Sequence, residues 1–150
     1  IVNDVAAIRK YGAPLIVIDF GTATTFNAIN EKGEFIGGAV APGMRGSLDS
    51  LVSGTAKLPR VEIETPKSVI GKNTTTNLQA GLVFGFAGLV DYIVKKTKKE
   101  MKLPDVQVVA TGGFSEIIAK EVACIDHVDK LLTLQGLKYL YDLNCSEGKK

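Results

Sequence analysis

Blocks of hydrophobic positions alternate with polar and glycine-rich stretches along the chain, and this pattern predicts an α/β domain. Residues 2–10 have the spacing of the last part of a helix, and Gly12 and Pro14 follow as residues that commonly end helices. The short apolar run 15–18 (LIVI) is typical of a central strand that is buried on both faces. The chain is therefore expected to pass from a helix directly into the core of a sheet.

A hairpin is predicted next, with strands over 26–30 and 34–40 and with Gly33 as a left-handed turn residue. The rest of the pattern predicts strands over 107–110 and 124–128 and helices over 44–52, about 75–99, 115–122 and 134–143. Three strands are thus expected to open the domain, and βα units follow them.

The resulting order βββαβαβα differs from the alternation of a Rossmann domain. Neither GxGxxG nor GxxxxGK[ST] occurs, so two common phosphate-binding motifs are absent from the sequence. An antiparallel start followed by parallel βα units indicates instead a mixed, ribonuclease-H-like sheet. We therefore expect one lobe of the kind found in actin, hexokinase and acetate kinase.

Composition narrows the choice of function without deciding it. The 150 residues are 45% hydrophobic, which is enough for one domain with a core, and 18 basic residues nearly balance 16 acidic ones. This balance gives no reason to expect nucleic acid or an anionic membrane as a partner. The longest nearly apolar run, 80–90, is shorter than the roughly 20 residues of a membrane span. Two distant cysteines and a lone histidine, His127, predict a cytoplasmic protein without a zinc site.

Residues 19–25 (DFGTATT) form the most informative polar stretch. A carboxylate such as Asp19 at the end of a buried strand is costly unless it is paired or binds a cation. Gly21 allows a ligand to approach the backbone, whose N–H groups can cradle an anion. The phosphate oxygens of such a ligand could accept from the hydroxyls of Thr22, Thr24 and Thr25. This chemistry fits a cation beside a polyphosphate, and a polar β-turn with strand-forming threonines is the competing interpretation.

Two further segments have both a functional and a purely structural interpretation. Gly112 and Gly113 follow a buried strand and open a helix, so a nucleotide could lie against the backbone there. An ordinary strand-to-helix loop would have the same residues. Asn73 and Thr74 precede a long apolar helix and could simply cap it. Two strand-end segments in one sheet together favour a nucleotide site.

The combination of several motifs resembles the C-terminal half of the type III pantothenate kinases, over essentially the whole chain. The segments that carry the resemblance are DFGTATTFNAINEKGEFIGGAVAPGMR, TAKLPRVE, PKSVIGKNTTTNLQAG, ATGG and LTLQGLKYLY. Those enzymes are similar in fold to acetate and sugar kinases. They form 4′-phosphopantothenate from pantothenate and ATP, the first step towards coenzyme A.

The resemblance implies roles for individual residues of this chain. Asp19 would bind a monovalent cation, potassium or ammonium, and ATP would bind together with magnesium. Thr74 would contact pantothenate across a homodimer interface. The residues expected to contact ATP are Gly21, Thr22, Thr24, Thr25, Gly112 and Gly113.

The sequence also departs from the family pattern. Absent are the Asp-x-Gly-Asn loop of the family's N-terminal strand and the Gly-x-Asp-Arg segment, which provides the general base. By the resemblance that segment would directly precede Ile1, so we expect no catalytic base within 1–150, which would be the C-terminal lobe. With its N-terminal lobe outside this chain, the isolated chain is expected to be inactive. Asn27 stands where many members are expected to have an acidic residue.

Two other functions remain open at this stage. A regulatory homologue could keep the fold as a binding module, as some relatives described as transcriptional accessory factors do. An acetate-type or sugar kinase would share the fold and act on another substrate. Retention of the cation, ATP and pantothenate residues together favours the kinase, because a regulator would not need them all.

The segment 78–94 is apolar around most of a helix, with Gln79 and Asp91 as exceptions, so more than one side of it should be buried. Glycines in a helix each cost up to about 1 kcal/mol in helix propensity. Three of them lie along one flank, Gly81, Gly85 and Gly88. We therefore predict a two-fold homodimer in which the equivalent helix of a second copy packs on this flank.

Overall fold

The computed structural model describes residues 1–54 and 60–147. Its helices are α1 (Val2–Tyr11), α2 (Met44–Ser53), α3 (Thr74–Met101), α4 (Ser115–Ala119) and α5 (Leu132–Glu147). Its strands are β1 (Leu15–Phe20), β2 (Ala23–Ile29), β3 (Phe35–Pro42), β4 (Gln107–Gly112) and β5 (His127–Val128). The first five residues of the TAKLPRVE segment lie outside the described residues.

The five strands form one sheet in the order β3-β2-β1-β4-β5. β1, β2 and β3 are antiparallel neighbours, whereas β4 and β5 join in parallel on the other side of β1. The chain passes through helices between the parallel strands, because a parallel pair needs a long crossover connection. This is the mixed sheet of a ribonuclease-H-like lobe, and the predicted fold class is confirmed.

Successive side chains of β1 point to opposite faces of the sheet, so the interior consists of two layers. Ile16, Ile18 and Phe20 belong to one layer, where α2, α3 and α4 cover the sheet. Leu15 and Val17 belong to the other layer, where α1 and α5 pack against the sheet and against each other. β1 is thus buried on both sides, as its run of apolar residues predicts.

Several boundaries differ from the prediction for identifiable reasons. β1 continues through Asp19 and Phe20 because β2 and β4 pair with it on both sides up to its end. β5 is shorter than the predicted 124–128 because the Asp126 carboxylate accepts from the Val108 N–H, at 2.7 Å, in place of a backbone carbonyl. Of the later helices, α4 is shorter than predicted and α5 is longer at both ends.

The long helix α3 begins at a capping box. Asn73 Oδ1 accepts from the Thr76 N–H at 2.9 Å, and Thr76 Oγ1 accepts from the Asn73 N–H at 3.2 Å. The helix ends at Lys102, which has a left-handed conformation, and Lys98 and Lys99 complement the dipole in its last turn. Its buried residues pack on the sheet. By length and composition alone α3 could also cross a membrane, a test that core helices of soluble proteins pass as well.

A polar cluster fixes the end of α1 beside the start of α5. Lys10 Nζ and the Tyr11 hydroxyl donate to Asp129 Oδ2 at 2.6 and 3.1 Å, and the Leu131 N–H donates to Oδ1 at 3.1 Å. Burial alone would raise the pKa of the Asp129 carboxyl, but these donors favour its ionised form and the pKa is lowered. His127, the first residue of β5, is half-buried, and its ring stacks on the Tyr11 ring with the two centroids 4.6 Å apart.

Candidate nucleotide and cation site

The carboxyl ends of β1 and β4 lie side by side, which brings the two predicted strand-end segments together. In the parallel register Asp19 is opposite Thr111, and Phe20 is opposite Gly112. On the other side of β1, Thr25 of β2 is opposite Asp19. Because opposite residues of neighbouring strands share a face, a polar row of Thr25, Asp19 and Thr111 crosses the sheet at this end.

Gly112 is required by the packing of this chain itself. Its φ is +94°, and a Cβ atom there would lie 2.6 Å from the Phe20 carbonyl oxygen in the neighbouring strand. Gly113 differs, because it is exposed and a Cβ atom there would meet nothing within 4 Å. Of the predicted pair, Gly112 thus permits the close packing of β1 and β4, whereas Gly113 leaves open surface at the strand end.

The turn that contains Gly21 lies against the start of α2. The Gly21 N–H donates to the Ala23 carbonyl oxygen at 3.1 Å. A Cβ atom at Gly43, the residue before α2, would overlap the Thr22 carbonyl oxygen. The first N–H groups of α2, which have no partner within a helix, therefore begin beside the turn.

Arg45 of α2 brings positive charge to the loop that follows β4. The Arg45 guanidinium carbon lies 5.9 Å from the centroid of the Phe114 ring, next to Gly113. Its Nη2 lies 3.9 Å from Glu62 Oε2 on the surface. α4 has only five residues, and so short a helix has a small dipole. The amino end of α2 is therefore better suited than that of α4 to bind a phosphate group, a role that the sequence assigned to the helix after Gly113.

The three threonines of the DFGTATT segment have different environments. Thr22 is exposed in the turn, and Thr25 is half-buried beside Asp19. Thr24 is fully buried, and its hydroxyl donates to the Pro42 carbonyl oxygen at 3.2 Å. Because its hydroxyl faces the protein interior, we leave Thr24 out of the predicted ATP site, in which Thr22 is the best placed.

Asp19 is half-buried, and one of its two carboxylate oxygens is engaged. The Asn3 amide donates to Oδ2 at 2.8 Å, and the Thr133 hydroxyl donates to Asn3 Oδ1 at 2.8 Å. Asp19 Oδ1 lies 3.6 Å from the Cβ position of Gly21, on the side of the turn. Burial raises the pKa of Asp19, the Asn3 hydrogen bond opposes this, and the charge of Asp4 raises the pKa further. A bound cation would favour the ionised form instead.

Asp4 is a second carboxylate in the same layer, and it is only 5% exposed. The Asn27 amide nitrogen donates to both oxygens of the Asp4 carboxylate, at 2.9 and 3.0 Å. An acidic residue at position 27, which the family pattern leads us to expect, would face Asp4 with like charge. The Asn27 amide on β2 therefore matches the buried Asp4 carboxylate on α1, which packs over the same face of the sheet.

The oxygen atoms around Asp19 suit potassium or ammonium. Within residues 1–54 and 60–147, no group of three or more His, Cys, Asp or Glu side chains is placed to hold a metal ion. Asp19 Oδ1 accepts no hydrogen bond in that part of the chain and lies on the side of the Gly21 turn, whose Gly21 and Thr22 carbonyl oxygens lie next to Gly43. Carboxylate and carbonyl oxygens are the ligands that hard cations prefer. The residues present therefore fit a cation at Asp19.

Thr74 lies apart from this group. It is the first residue of α3 and is exposed, and Asn73 caps the helix as the structural interpretation predicts. In the part of the chain that the structure describes, no hydrogen bond joins Thr74 to the strand-end residues. Its contact with pantothenate stays a prediction, which requires a second subunit.

Three polar residues at this site are not predicted from the sequence, Asn3, Asp4 and Thr133. Each lies in the first turn of a helix and reaches the site only because α1 and α5 pack on the sheet. A weak indication exists for Asp4, which is an acidic residue beside the buried alanines Ala6 and Ala7. An acidic residue on the buried side of a helix needs a partner, and here the partner is Asn27.

The strand order and the paired loops at the ends of β1 and β4 define the class of this protein, a ribonuclease-H-like lobe of the actin and acetate kinase type. The sequence model of the family described as type III pantothenate kinase matches residues 1–96. Because this match covers more than half of the chain, the chain belongs to the type III pantothenate kinase family, as its motifs predict.

Solved structures provide two further likenesses. A conserved protein of Campylobacter jejuni, described as a Baf family transcriptional activator, has a TM-score of 0.66 at 20% identity over 97% of this chain. This chain spans 65% of the length of that protein. The activator of the 2-hydroxyisocaproyl-CoA dehydratase from Clostridium difficile, with bound ADPNP, has a TM-score of 0.43 at 13% identity over 90% of this chain and 61% of that one. The first likeness supports the fold, and the second is too distant to support an argument.

Proposed function

We propose that this chain supplies part of the ATP, cation and pantothenate sites of a type III pantothenate kinase. The enzyme would transfer a phosphoryl group from ATP to pantothenate and yield 4′-phosphopantothenate, the first step of coenzyme A synthesis. The observation that carries the proposal is the half-buried Asp19 carboxylate, with Oδ2 held by Asn3 and Oδ1 open beside the strand-end turn. The general base would come from a segment outside this chain.

The site residues would position the phosphates and offset their charge. When bound, a potassium or ammonium ion at Asp19 supplies positive charge beside the phosphates of ATP and its magnesium. The Thr22 hydroxyl, the backbone N–H groups of the Gly21 turn and the amino end of α2 would donate to phosphate oxygens. The open surface at Gly113 would receive the adenosine. In this scheme the residues act by orientation and electrostatics, without a covalent intermediate.

The proposal includes a two-fold homodimer and a cytoplasmic location. In the dimer, Thr74 of one subunit would contact pantothenate bound to the other. One flank of α3 could receive a second helix, because a Cβ atom at Gly81, Gly85 or Gly88 would meet nothing within 4 Å in the part of the chain that the structure describes. The two free cysteines, Cys124 and Cys145, fit a reducing compartment.

A regulatory protein is the second candidate function. One observation favours it, the likeness in fold to the Campylobacter jejuni protein described as a transcriptional activator. The nearly balanced charge of the chain offers no support for nucleic acid as a partner. Pantothenate-dependent consumption of ATP by the full-length protein would favour the kinase, and a folded protein without this activity would favour the regulator.

Asp19→Asn in the full-length protein tests the kinase proposal. The amide keeps the shape of the side chain but lacks the charge that a cation needs. We expect the rate of pantothenate phosphorylation at saturating potassium to fall by about tenfold or more, as for loss of about 1.4 kcal/mol of stabilisation. The variant should also show no response when potassium chloride replaces choline chloride at constant ionic strength.

The matched control is Asp105→Asn, which removes the same charge from an exposed loop before β4. This variant should respond to potassium as the wild type does. If Asp19→Asn kept the wild-type potassium response, the carboxylate would have a structural role and the proposed cation site would be refuted.

A further inference from the structure

Two hydrogen bonds in series connect Asp19 to the first turns of α1 and α5. The Asn3 amide nitrogen donates to Asp19 Oδ2 at 2.8 Å, and the Thr133 hydroxyl donates to Asn3 Oδ1 at 2.8 Å. Asn3 and Thr133 are 130 positions apart in the sequence. The connection therefore exists only when α1 and α5 have packed together on the same face of the sheet.

Thr133 holds the end of the Asn3 amide that faces away from Asp19. An amide oxygen only accepts hydrogen bonds and an amide nitrogen only donates them. Because an ionised carboxylate only accepts, Asn3 presents its nitrogen to Asp19, and its oxygen accepts from the Thr133 hydroxyl, which keeps the amide in this orientation. A donor at this place holds one oxygen of the Asp19 carboxylate and leaves the other available to a cation.

Asn3 also limits the rotation of the Asp19 carboxylate. The χ2 torsion of an aspartate is broad and roughly two-fold, so an unsupported carboxylate would exchange its oxygens. With Oδ2 held by Asn3, Oδ1 stays on the side of the Gly21 turn. Asp4, buried and held by Asn27, adds negative charge near the same group. One free oxygen therefore faces the turn in a region of negative potential.

We infer that Asn3 is a positioning residue of the cation site and that Thr133 fixes the orientation of Asn3 from α5. The inference rests on the proposed function in one respect, that a monovalent cation binds at Asp19. Asn3 and Thr133 do not ligate the cation, and they act through the carboxylate. The layer of α1 and α5 thus shapes the site as well as covering the sheet.

A purely structural role for Asn3 predicts a different result. An amide that only fastens α1 to the sheet would affect stability equally with and without potassium. A positioning amide would change the potassium concentration at which the protein responds. The two roles are therefore separated by measuring a cation constant instead of stability alone.

Asn3→Ala and Thr133→Val, made in the full-length protein, provide this measurement. Potassium chloride is titrated against choline chloride at constant ionic strength, and the readouts are the midpoint of thermal unfolding and the rate of pantothenate phosphorylation. Asn3→Ala should raise the half-maximal potassium concentration in both assays by about tenfold, the effect of losing one hydrogen bond to a charged group. Thr133→Val should raise it by about threefold, because the amide loses only its fixed orientation.

Asn144→Ala is the matched control, because the exposed Asn144 amide donates within α5 to the Leu140 carbonyl oxygen at 2.9 Å. It should leave the potassium constant unchanged. The side chain of Thr133 is exposed, so Thr133→Val keeps the test available if Asn3→Ala does not fold.

The outcomes separate this inference from the kinase proposal. A wild-type potassium constant in both variants would overturn the inference, whatever their unfolding midpoints. Phosphorylation of pantothenate by a wild-type protein that does not respond to potassium would also overturn it and leave the kinase proposal intact. A thermal response to potassium that depends on Asn3, in a protein that phosphorylates no pantothenate, would support the inference and refute the kinase.

Discussion

Two groups of glycines in this molecule, those at the ends of the central strands and those along α3, have different surroundings. At Gly112 an added Cβ atom would lie 2.6 Å from the Phe20 carbonyl oxygen, and at Gly43 it would overlap the Thr22 carbonyl oxygen. Along α3 an added Cβ atom at Gly81, Gly85 or Gly88 would meet no atom of residues 1–54 and 60–147 within 4 Å.

The difference separates glycines that the chain itself requires from glycines that it does not. At the strand ends, β4 and the start of α2 could not come so close to β1 and its turn with larger residues. Along α3, each glycine costs up to about 1 kcal/mol in helix propensity, and the described residues offer no contact that explains the cost. A small residue on an open flank is useful when another surface approaches, which is why we propose the homodimer there.

Gly112→Ala should have the largest effect of the substitutions that test this comparison. We expect the free energy of unfolding to fall by roughly 3 kcal/mol or more, because a φ of +94° disfavours any side chain and the new Cβ must displace β1. Gly113→Ala, one position along, should change it by no more than about 0.5 kcal/mol. Urea unfolding of the two variants measures both values. Equal, small losses would contradict the close contact assigned to Gly112.

Gly85→Leu should weaken the proposed homodimer while leaving the sheet intact. A leucine at this position would hold two facing helices apart, and we expect the dissociation constant to rise by about tenfold or more, equivalent to about 1.4 kcal/mol. Sedimentation equilibrium at micromolar concentration gives the constant. Lys99→Leu, at an exposed position near the end of the same helix, is the control and should dimerise as the wild type does. A monomeric wild-type chain would show that the glycine flank is not a dimer interface.

Gly85→Ala has the smallest expected effect and addresses the helix alone. Because nothing lies within 4 Å of the added Cβ, the alanine should stabilise α3 by up to about 1 kcal/mol. Urea unfolding at a concentration below the dimer dissociation constant detects this gain. A loss of stability in the monomer would mean that another part of the chain covers Gly85, and the contrast with Gly112 would disappear.

Sequence patterns predict the sheet well where apolar runs are continuous. The runs 15–18 and 107–110 are both strands, because burial on both faces leaves few other structures for such segments. β5 is predicted less well, since the Asp126 side chain takes a hydrogen bond that a longer strand would use. A local pattern does not reveal this competition between a side chain and the backbone.

The sequence also locates the site residues that depend on their own strand ends, among them Asp19, Gly21 and Gly112. It groups Thr24 with Thr25 in the predicted ATP site, although alternation along β2 places the two side chains on opposite faces of the sheet. Thr25 is opposite Asp19 and Thr24 is opposite Phe20, so Thr24 belongs to the buried face. The pairing register, which a single strand does not specify, therefore decides which hydroxyls are available.

By itself, the sequence of this protein determines the order of its strands and helices, its family and the position of a carboxylate at the end of β1. Only the tertiary structure decides which oxygen of Asp19 is free, because Asn3 and Thr133 reach it from opposite ends of the chain. Strand formation depends on neighbouring residues, whereas the orientation of one carboxylate depends on the packing of two distant helices on the sheet.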